Sequence, residues 1–191
     1  MTQNSLFYKC LPKKTYQLGD YVIEAVQPQH IEKIRKWRNE QMDVLRQSKP
    51  ISKAEQFAYY EKNVWPEMIK KNPDKILLSI MHDGILKGYG GLVYLNWEHL
   101  RGEISFILDT QIANTEMDFG ELFPLFLLMI KNIAFHDLSL YRIYGELFDI
   151  RPQYAKAFEN AGFTLEGVLK AHRRLNGEPI DSLIYGISNA K

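Results

Sequence analysis

The chain has 191 residues, of which 46% are apolar and 13% are aromatic. A chain of this length and composition can bury a sizeable core, which favours one folded domain over a disordered polypeptide. Its 24 basic and 23 acidic side chains leave a formal net charge of +1. No strong field is therefore available for nonspecific binding to nucleic acid or to a membrane surface.

Cysteine use and the apolar segments bear on the cellular compartment. Cys10 is the single cysteine, so no internal disulfide can form, which suits a reducing environment. The first residues, MTQNSLFYKC, lack the apolar stretch of a signal peptide, and no apolar run is long enough to span a bilayer. We therefore expect a cytoplasmic protein with no membrane or nucleic-acid partner.

The first part of the chain predicts a strand followed by two helices. After a polar extension over residues 1–20, the alternating run YVIEAV indicates a strand at residues 21–26. Pro28 suits the first turn of a helix. A second helix is expected to begin at Ser52, because Ser52 and Glu55 have the spacing of a capping box.

A three-strand meander is expected next, and a second α/β segment after it. Asp83-Gly84 predicts a hairpin that joins residues 75–82 to 85–95, and RGEISFIL supplies a third strand. A long apolar helix to about His136 then precedes the strand LYRIYGELF and a short helix that ends at Gly162. Asn176-Gly177 predicts a final hairpin. We expect one α+β domain over residues 1–191, with a mixed, mostly antiparallel central sheet flanked by helices.

Three local patterns, in this order, resemble a known family. They are KWRNEQMDVLRQSKPIS, GYGGLVYLNWEHLRGEISFIL, and the run from LYRIYGELF through AGFTLEG to the terminal hairpin, which together span roughly residues 21–187. They are similar to the GNAT superfamily of N-acetyltransferases, and most to its branch of ribosomal-protein N-terminal and amino-sugar-nucleotide acetyltransferases. The resemblance implies acetyl-CoA as co-substrate, no metal, and a V-shaped splay between the fourth and fifth core strands.

The resemblance also implies where the cofactor binds. In the family, backbone groups of the splayed fourth strand hold the pantetheine arm, and the turn after it cradles the pyrophosphate with glycines. Here the strand is EISFIL, and no lysine or arginine occurs from Gly102 to Ile130. The expected cofactor-binding residues are Phe106, Ile107, Leu108, Gly120, Glu121, Leu122 and Arg151.

The turn DTQIANTEMDFGELFPLF departs from the family pattern. A helix N-terminus favours negative charge, so the turn could hold a phosphate, or its own carboxylates could take that place. Those carboxylates belong to Asp109, Glu116, Asp118 and Glu121. Pro124 suits a first helical turn, which predicts a helix that begins near Glu121.

Acetyl transfer needs a group that accepts the amine's proton and a group that donates a proton to the leaving thiolate. Glu103, at the start of EISFIL, stands where family members often place an acidic group, although it could also be a solvated strand-end residue. His99 could instead orient a water. The family's tyrosine acid is replaced by Phe158, which leaves Tyr154, one helical turn earlier, or water as the donor.

The acceptor site is expected at Trp37, Arg38, Asn39 and His172, with Arg46, Arg173 and Arg174 as further basic candidates. A guanidinium suits a bidentate grip on a phosphate or carboxylate; alternatively, Trp37 is a core residue and Arg38 pairs with a nearby acid. We expect a monomer or homodimer that acetylates a small primary amine such as an amino sugar nucleotide. A protein N-terminal acetyltransferase and a non-catalytic binding protein remain alternatives.

Overall fold

An eight-stranded sheet forms the centre of the protein in a computed structural model, which describes residues 6–113 and 116–189 and, within 116–119, the backbone alone. The strand order is β1-β2-β3-β4-β5-β6-β8-β7. The strands are β1 (Thr15–Leu18), β2 (Tyr21–Ala25), β3 (Ile76–His82), β4 (Ile85–Asn96), β5 (Arg101–Leu108), β6 (Arg142–Phe148), β7 (Thr164–Leu175) and β8 (Glu178–Ser188).

Helices connect the strands and pack beside the sheet. A 3-10 turn at Pro28–His30 leads into α1, and a π-helical turn at Ile133–Asp137 extends α4. Within the described part of the chain, no helix has the length and apolar character needed to cross a bilayer. The helices are α1 (Ile31–Glu40), α2 (Lys53–Asn63), α3 (Thr110–Ala113), α4 (Glu116–Asn132) and α5 (Pro152–Asn160).

The local sequence signals set the helix start and the hairpins as predicted. The Glu55 N–H donates to the Ser52 hydroxyl at 3.2 Å, and the Glu55 carboxylate accepts from the Ser52 N–H at 2.8 Å, so the capping box is confirmed. Asp83-Gly84 has φ values of 50° and 72°, as an Asp-Gly hairpin turn requires. This turn pairs β3 with β4 antiparallel, as predicted.

The N-terminal part contributes more than a polar extension. β1 forms a hairpin with β2 and adds an edge strand to the sheet that the sequence did not indicate. Tyr8 is fully buried, and its hydroxyl accepts a hydrogen bond of 2.9 Å from the Leu77 N–H. Tyr8 and Tyr16 are therefore part of the domain's core, and β1 is part of its sheet.

The long apolar helix begins earlier than predicted. α4 starts at Glu116 and not near Glu121, so Pro124 lies in the helix interior and not in its first turn. Proline there removes the hydrogen bond to the Gly120 carbonyl, at a cost of about 3 kcal/mol. Burial of the helix's apolar face offsets this cost, and the residues that supply it are Leu122, Phe123, Phe126, Leu127, Met129 and Ile130.

The sheet opens between β5 and β6, the fourth and fifth strands of the sequence prediction. These strands run parallel and pair only through Arg101–Arg142, Gly102–Ile143 and Glu103–Tyr144. Beyond these pairs they diverge, whereas β5 stays paired with β4 as far as Leu108. The predicted V-shaped splay is confirmed.

Candidate active site

The splay forms a narrow cleft with a volume of about 70 Å³. One wall is the free edge of β5, and the opposite wall is β6 with the side chains of α4 and α5. The residues that line it are Gln41, Val44, Ile104, Phe106, Ile107, Phe123, Gly145, Glu146, Leu147, Phe148, Arg151, Tyr154 and Phe158. Because β6 leaves β5 unpaired here, the cleft exposes a strand edge that an extended ligand can pair with.

The three β5 residues predicted to bind the cofactor lie along this edge. The Phe106 ring stacks on Phe126 at 4.3 Å between centroids and packs on Phe123 at 4.5 Å. Ile107 and Leu108 are buried. The Leu108 carbonyl accepts a hydrogen bond of 2.8 Å from Nε2 of Gln41, so a side chain already occupies the last acceptor of the strand.

A second, larger cavity of about 380 Å³ opens beside the cleft. The cleft and this cavity share the walls made by Val44, Ile104, Phe106, Glu146 and Phe148. A ligand that reaches along β5 and another that fills the larger cavity would therefore meet between these walls.

Two carboxylates and one guanidinium stand at the junction. Glu103 lies on β5 and Glu146 on β6, and their side chains are 11% and 10% exposed. Nη2 of Arg46 lies 2.7 Å from Oε1 of Glu103 and also contacts the Glu146 carboxylate. One arginine from the loop after α1 thus bridges the two strands where they part.

The two carboxylates differ in basicity. Burial raises the pKa of Glu103 above its usual value, and the Arg46 guanidinium offsets this only in part. For Glu146, burial also acts to raise the pKa, but the Ser182 side chain and the pairing with Arg46 together outweigh it and leave the pKa below its usual value. Glu103 is therefore the better proton acceptor of the two, and Glu146 the better permanent anion.

His172 and Arg173 approach this cluster from β7. Nε2 of His172 lies 3.7 Å from Oε1 of Glu146, and its side chain is half exposed. The Arg173 guanidinium lies 4.4 Å from the centre of the Phe148 ring and donates to the Met42 carbonyl at 3.3 Å. His99, the alternative base, is exposed in the turn between β4 and β5.

Tyr154 lines the cleft. The sequence alone could not show whether this side chain reaches the site. Its ring packs on Phe123 at 5.1 Å, and its hydroxyl accepts a hydrogen bond of 3.5 Å from Arg151. Burial raises the pKa of Tyr154, and the nearby Arg151 charge only partly opposes this, so the phenol keeps its proton at neutral pH. Arg151 itself lines the cleft and pairs with Asp43 at 3.1 Å.

Phe158 occupies the base of the cleft at the position where the resembled family has its tyrosine. The ring is fully buried and packs against Gly145 of β6. A Cβ on Gly145 would lie 2.8 Å from the tip of that ring, so the glycine is needed for this close approach. Phe158 has no group that could donate a proton.

The W-R-N segment has one residue that faces a cavity and two that do not. Trp37 is buried in the core. The Asn39 side chain donates to the Ile51 carbonyl at 2.9 Å and accepts from the Ile51 N–H at 2.8 Å, which anchors the loop before α2. Arg38 lines the larger cavity and also a neighbouring one of about 340 Å³.

Arg38 has no acid partner in the part of the chain that the structure describes. Among the residues that the structure describes, none forms an ion pair or a hydrogen bond with its guanidinium. Burial raises the pKa values of the Tyr60 and Tyr89 hydroxyls, and the Arg38 charge partly opposes both shifts. Within the described chain, the guanidinium therefore faces the cavity beside two phenols and has no acid partner of the kind that the alternative expects.

The turn after β5 differs from the prediction where it is described. Asp109 accepts a hydrogen bond of 3.1 Å from the Gln111 N–H and pairs with Lys33 at 3.2 Å, so it caps α3 and is neutralised. Gly120, Glu121 and Leu122 lie inside α4, where backbone N–H groups bond within the helix. Residues 114–115 lie outside the described part of the chain. The carboxylates of Glu116 and Asp118 lie outside it too, because only the backbone is described there.

Two polar residues of the cleft were not predicted. Glu146 lies within β6, although glutamate is uncommon in strands, and it lines the same cleft as the partly buried Phe148. Gln41 ends α1 and is 2% exposed. A charged residue inside β6, between Gly145 and Leu147, could have indicated Glu146, whereas nothing local marks Gln41.

The fold and the cleft together define a transferase with a splayed sheet, in which a donor arm and an acceptor meet between two diverging strands. The chain belongs to the GNAT acetyltransferase family, whose domain model matches residues 23–184. Members of this family are acetyl-CoA-dependent N-acetyltransferases. No curated protein matched the chain in sequence.

Solved structures with the same fold include a polyamine enzyme. The spermidine N-acetyltransferase from Vibrio cholerae, in complex with CoA and spermine, superposes with a TM-score of 0.76 at 19% identity, covering 90% of this chain and 96% of its own. A dodecameric structure of spermidine N-acetyltransferase from Vibrio cholerae, in an intermediate state, gives 0.73 at 19% identity, covering 90% and 95%. At this identity the likeness establishes the fold. The expectation of a monomer or homodimer for this chain stays a prediction.

Proposed function

We propose that the protein transfers an acetyl group from acetyl-CoA to the primary amine of a small molecule that also carries an anionic group, such as an amino sugar nucleotide. The observation that carries the proposal is the junction of the narrow cleft with the larger cavity, where Glu146 belongs to the shared wall and Glu103 lines the larger cavity beside it. Bound acetyl-CoA supplies the acetyl group as a thioester, so the chain must hold the donor, accept a proton and serve a leaving thiolate.

The cleft fits an extended donor arm. The edge of β5 past Glu103 is not paired by β6, and the aromatic rings of Phe106 and Phe123 exclude water from one wall. Backbone groups of Phe106 face the unpaired side and can pair with amides of the arm, independently of side-chain identity, whereas those of Ile107 face β4. The turn that would face the pyrophosphate includes residues 114–115, outside the described chain, so no phosphate contact is assigned.

Glu103 is the group we assign to proton acceptance. An amine attacks as a neutral base, and a carboxylate with a raised pKa takes its proton more readily than an ordinary one. Glu103 faces the larger cavity and is buried, which meets this requirement. Arg46 and Glu146 hold it in place, and the Glu146 anion stabilises the ammonium that precedes deprotonation.

Tyr154 is the group we assign to the leaving thiolate. It is protonated, lines the cleft and lies on the helix that follows β6. A thiolate needs only a modest donor, so a phenol within the cleft suffices. Phe158, at the position of the family's tyrosine, cannot fill this role.

The charge of the larger cavity supports an acceptor with an anionic group. Three basic residues (Arg38, Arg46, Lys75) and three acidic residues (Asp74, Glu103, Glu146) line it, which gives no excess negative charge for a polycation. The two carboxylates that could attract a polyamine already share Arg46. Arg38 has no acid partner within the described chain and can bind a phosphate or carboxylate bidentately.

An acceptor panel tests the proposal. Amino sugar nucleotides, spermidine and peptides with free N-termini are offered with acetyl-CoA, and thiol release is followed. We expect turnover with the amino sugar nucleotides, and a KM for them that rises about tenfold or more in Arg38→Ala, since a charged hydrogen bond contributes about 1.5–3 kcal/mol. If only peptides or only spermidine are acetylated, the proposed acceptor class is wrong. Binding of acetyl-CoA without any turnover would favour a non-catalytic binding protein.

A further inference from the structure

Gln41 carries a buried carboxamide at the end of α1, next to the splay between β5 and β6. The residue is 2% exposed and lines the narrow cleft. It is the C-cap of α1, with φ −118° and ψ 39°, so it lies where the helix gives way to the loop that carries Arg46. A polar group this deeply buried is expected to have its hydrogen bonds satisfied.

One side of the carboxamide is satisfied by β5 and by the start of α3. Nε2 donates to the Leu108 carbonyl at 2.8 Å and to the Thr110 hydroxyl at 3.2 Å. These contacts fix which atom is nitrogen, because the opposite assignment would place two oxygens together at the Leu108 carbonyl. Oε1 must therefore face away from β5.

The other side has no partner within the described chain. Oε1 of Gln41 is buried and accepts no hydrogen bond. The cleft that Gln41 lines is otherwise mostly apolar, with Phe106, Ile107 and Phe123 among its walls. An acceptor buried without a donor is unfavourable, so its retention points to a donor that arrives with a ligand.

The Gln41 carboxamide takes the place of a strand partner for β5. Its NH₂ pairs with the Leu108 carbonyl, as the N–H of a neighbouring strand would, at the point where β6 has already diverged. Its oxygen then offers the acceptor that the carbonyl of such a strand would offer. An extended ligand that enters the cleft with an amide N–H would complete this short ladder.

We propose that Gln41 is a positioning residue for the donor, whose Oε1 accepts a hydrogen bond from an amide N–H of the pantetheine arm. The inference rests on the proposed function, because it requires acetyl-CoA in the cleft. It assigns to the end of α1 a contact with the donor, in addition to the backbone of β5, and explains why a glutamine is buried there.

Calorimetry with free CoA tests this without catalysis. The variant Gln41→Met keeps the length of the side chain and removes both polar atoms. We expect its Kd for CoA to rise about tenfold, equivalent to about 1.4 kcal/mol. The acceptor KM should change by less than about twofold, since Gln41 does not line the larger cavity.

Gln47→Met is the matched control. Gln47 is also buried, donates through Nε2 to Asn39 at 2.9 Å and has an unpaired Oε1, but it lies outside the cleft. Its variant should bind CoA like the wild type. An equal loss in both variants, or none in Gln41→Met while the wild type binds CoA, would overturn the inference and leave the proposed function intact. Absence of CoA binding by the wild type would overturn the proposed function as well.

A measurement on the wild type keeps the inference testable if Gln41→Met does not fold. In a ¹H–¹⁵N correlation spectrum, the side-chain NH₂ signals of Gln41 should move on saturation with CoA, because a hydrogen bond to Oε1 polarises the whole carboxamide. The Gln47 side-chain signals serve as the internal reference. Unmoved Gln41 signals in a protein saturated with CoA would contradict the contact.

Discussion

Replacement of Glu103 by glutamine tests the assignment of the proton acceptor. The variant keeps the shape of the side chain, and its amide oxygen can still accept from Arg46, which stays paired with Glu146. The fold should therefore be retained. Loss of a general base lowers turnover about 10²–10⁴-fold, which corresponds to roughly 2.7–5.4 kcal/mol in the activation barrier.

The pH profile separates this role from a structural one. Since burial raises the pKa of Glu103, the acid limb of kcat/KM in the wild type should lie above the usual range of a glutamate, with activity rising as the carboxyl loses its proton. That limb should vanish in Glu103→Gln. Glu146→Gln is the comparison, because Glu146 contacts the same Arg46. The reasoning fails if Glu103→Gln keeps nearly full turnover with an unchanged acid limb while Glu146→Gln loses both.

Two further substitutions have defined outcomes. Tyr154→Phe removes the hydroxyl from the cleft and leaves the ring on Phe123, so kcat should fall about 10-fold or more with little change in Kd for CoA; unchanged turnover would remove Tyr154 from the mechanism. Gly91→Ala would place a Cβ 2.0 Å from the Ile76 carbonyl oxygen at a φ of 147°, which should cost about 3 kcal/mol or more in unfolding free energy. Chemical denaturation measures this loss. Gly120→Ala is the control, because Gly120 lies in a helix and a Cβ there would meet open space. Equal stability of the two variants would contradict the clash.

The hairpins could be predicted from the sequence because their signals are local. Asp83-Gly84 and Asn176-Gly177 adopt the positive φ values that only a few residue types tolerate, and each turn then fixes the pairing of its two strands. The splay followed from the family resemblance and not from periodicity. β1 was missed since it is a short edge strand of four residues in a polar segment.

The start of α4 could not be predicted from the position of proline alone. Pro124 favours a first helical turn, but the apolar face that α4 buries outweighs the lost hydrogen bond, so the helix continues through it. Tertiary packing overrode a local preference. The N-terminal end of this helix is therefore displaced from the residues first assigned to the pyrophosphate.

The site was only partly visible in the sequence, because its residues come from distant segments. Glu103 and Arg38 were candidates on family grounds, and the structure places both on the larger cavity. The ion pairs of Arg46 with Glu103 and Glu146 join the loop after α1 to β5 and β6. Arg46 and Glu146 are 100 positions apart in the sequence. Such a contact depends on how the sheet and the loop after α1 pack, which no local pattern encodes.

A crystal structure with bound acetyl-CoA tests the central claim most directly. We expect the pantetheine arm between β5 and β6, its thioester at the walls shared by the two cavities, and the Glu103 carboxylate within reach of an amine that approaches the acetyl carbon. Acetyl-CoA bound elsewhere on the protein, or an empty cleft in crystals grown with millimolar acetyl-CoA, would contradict it.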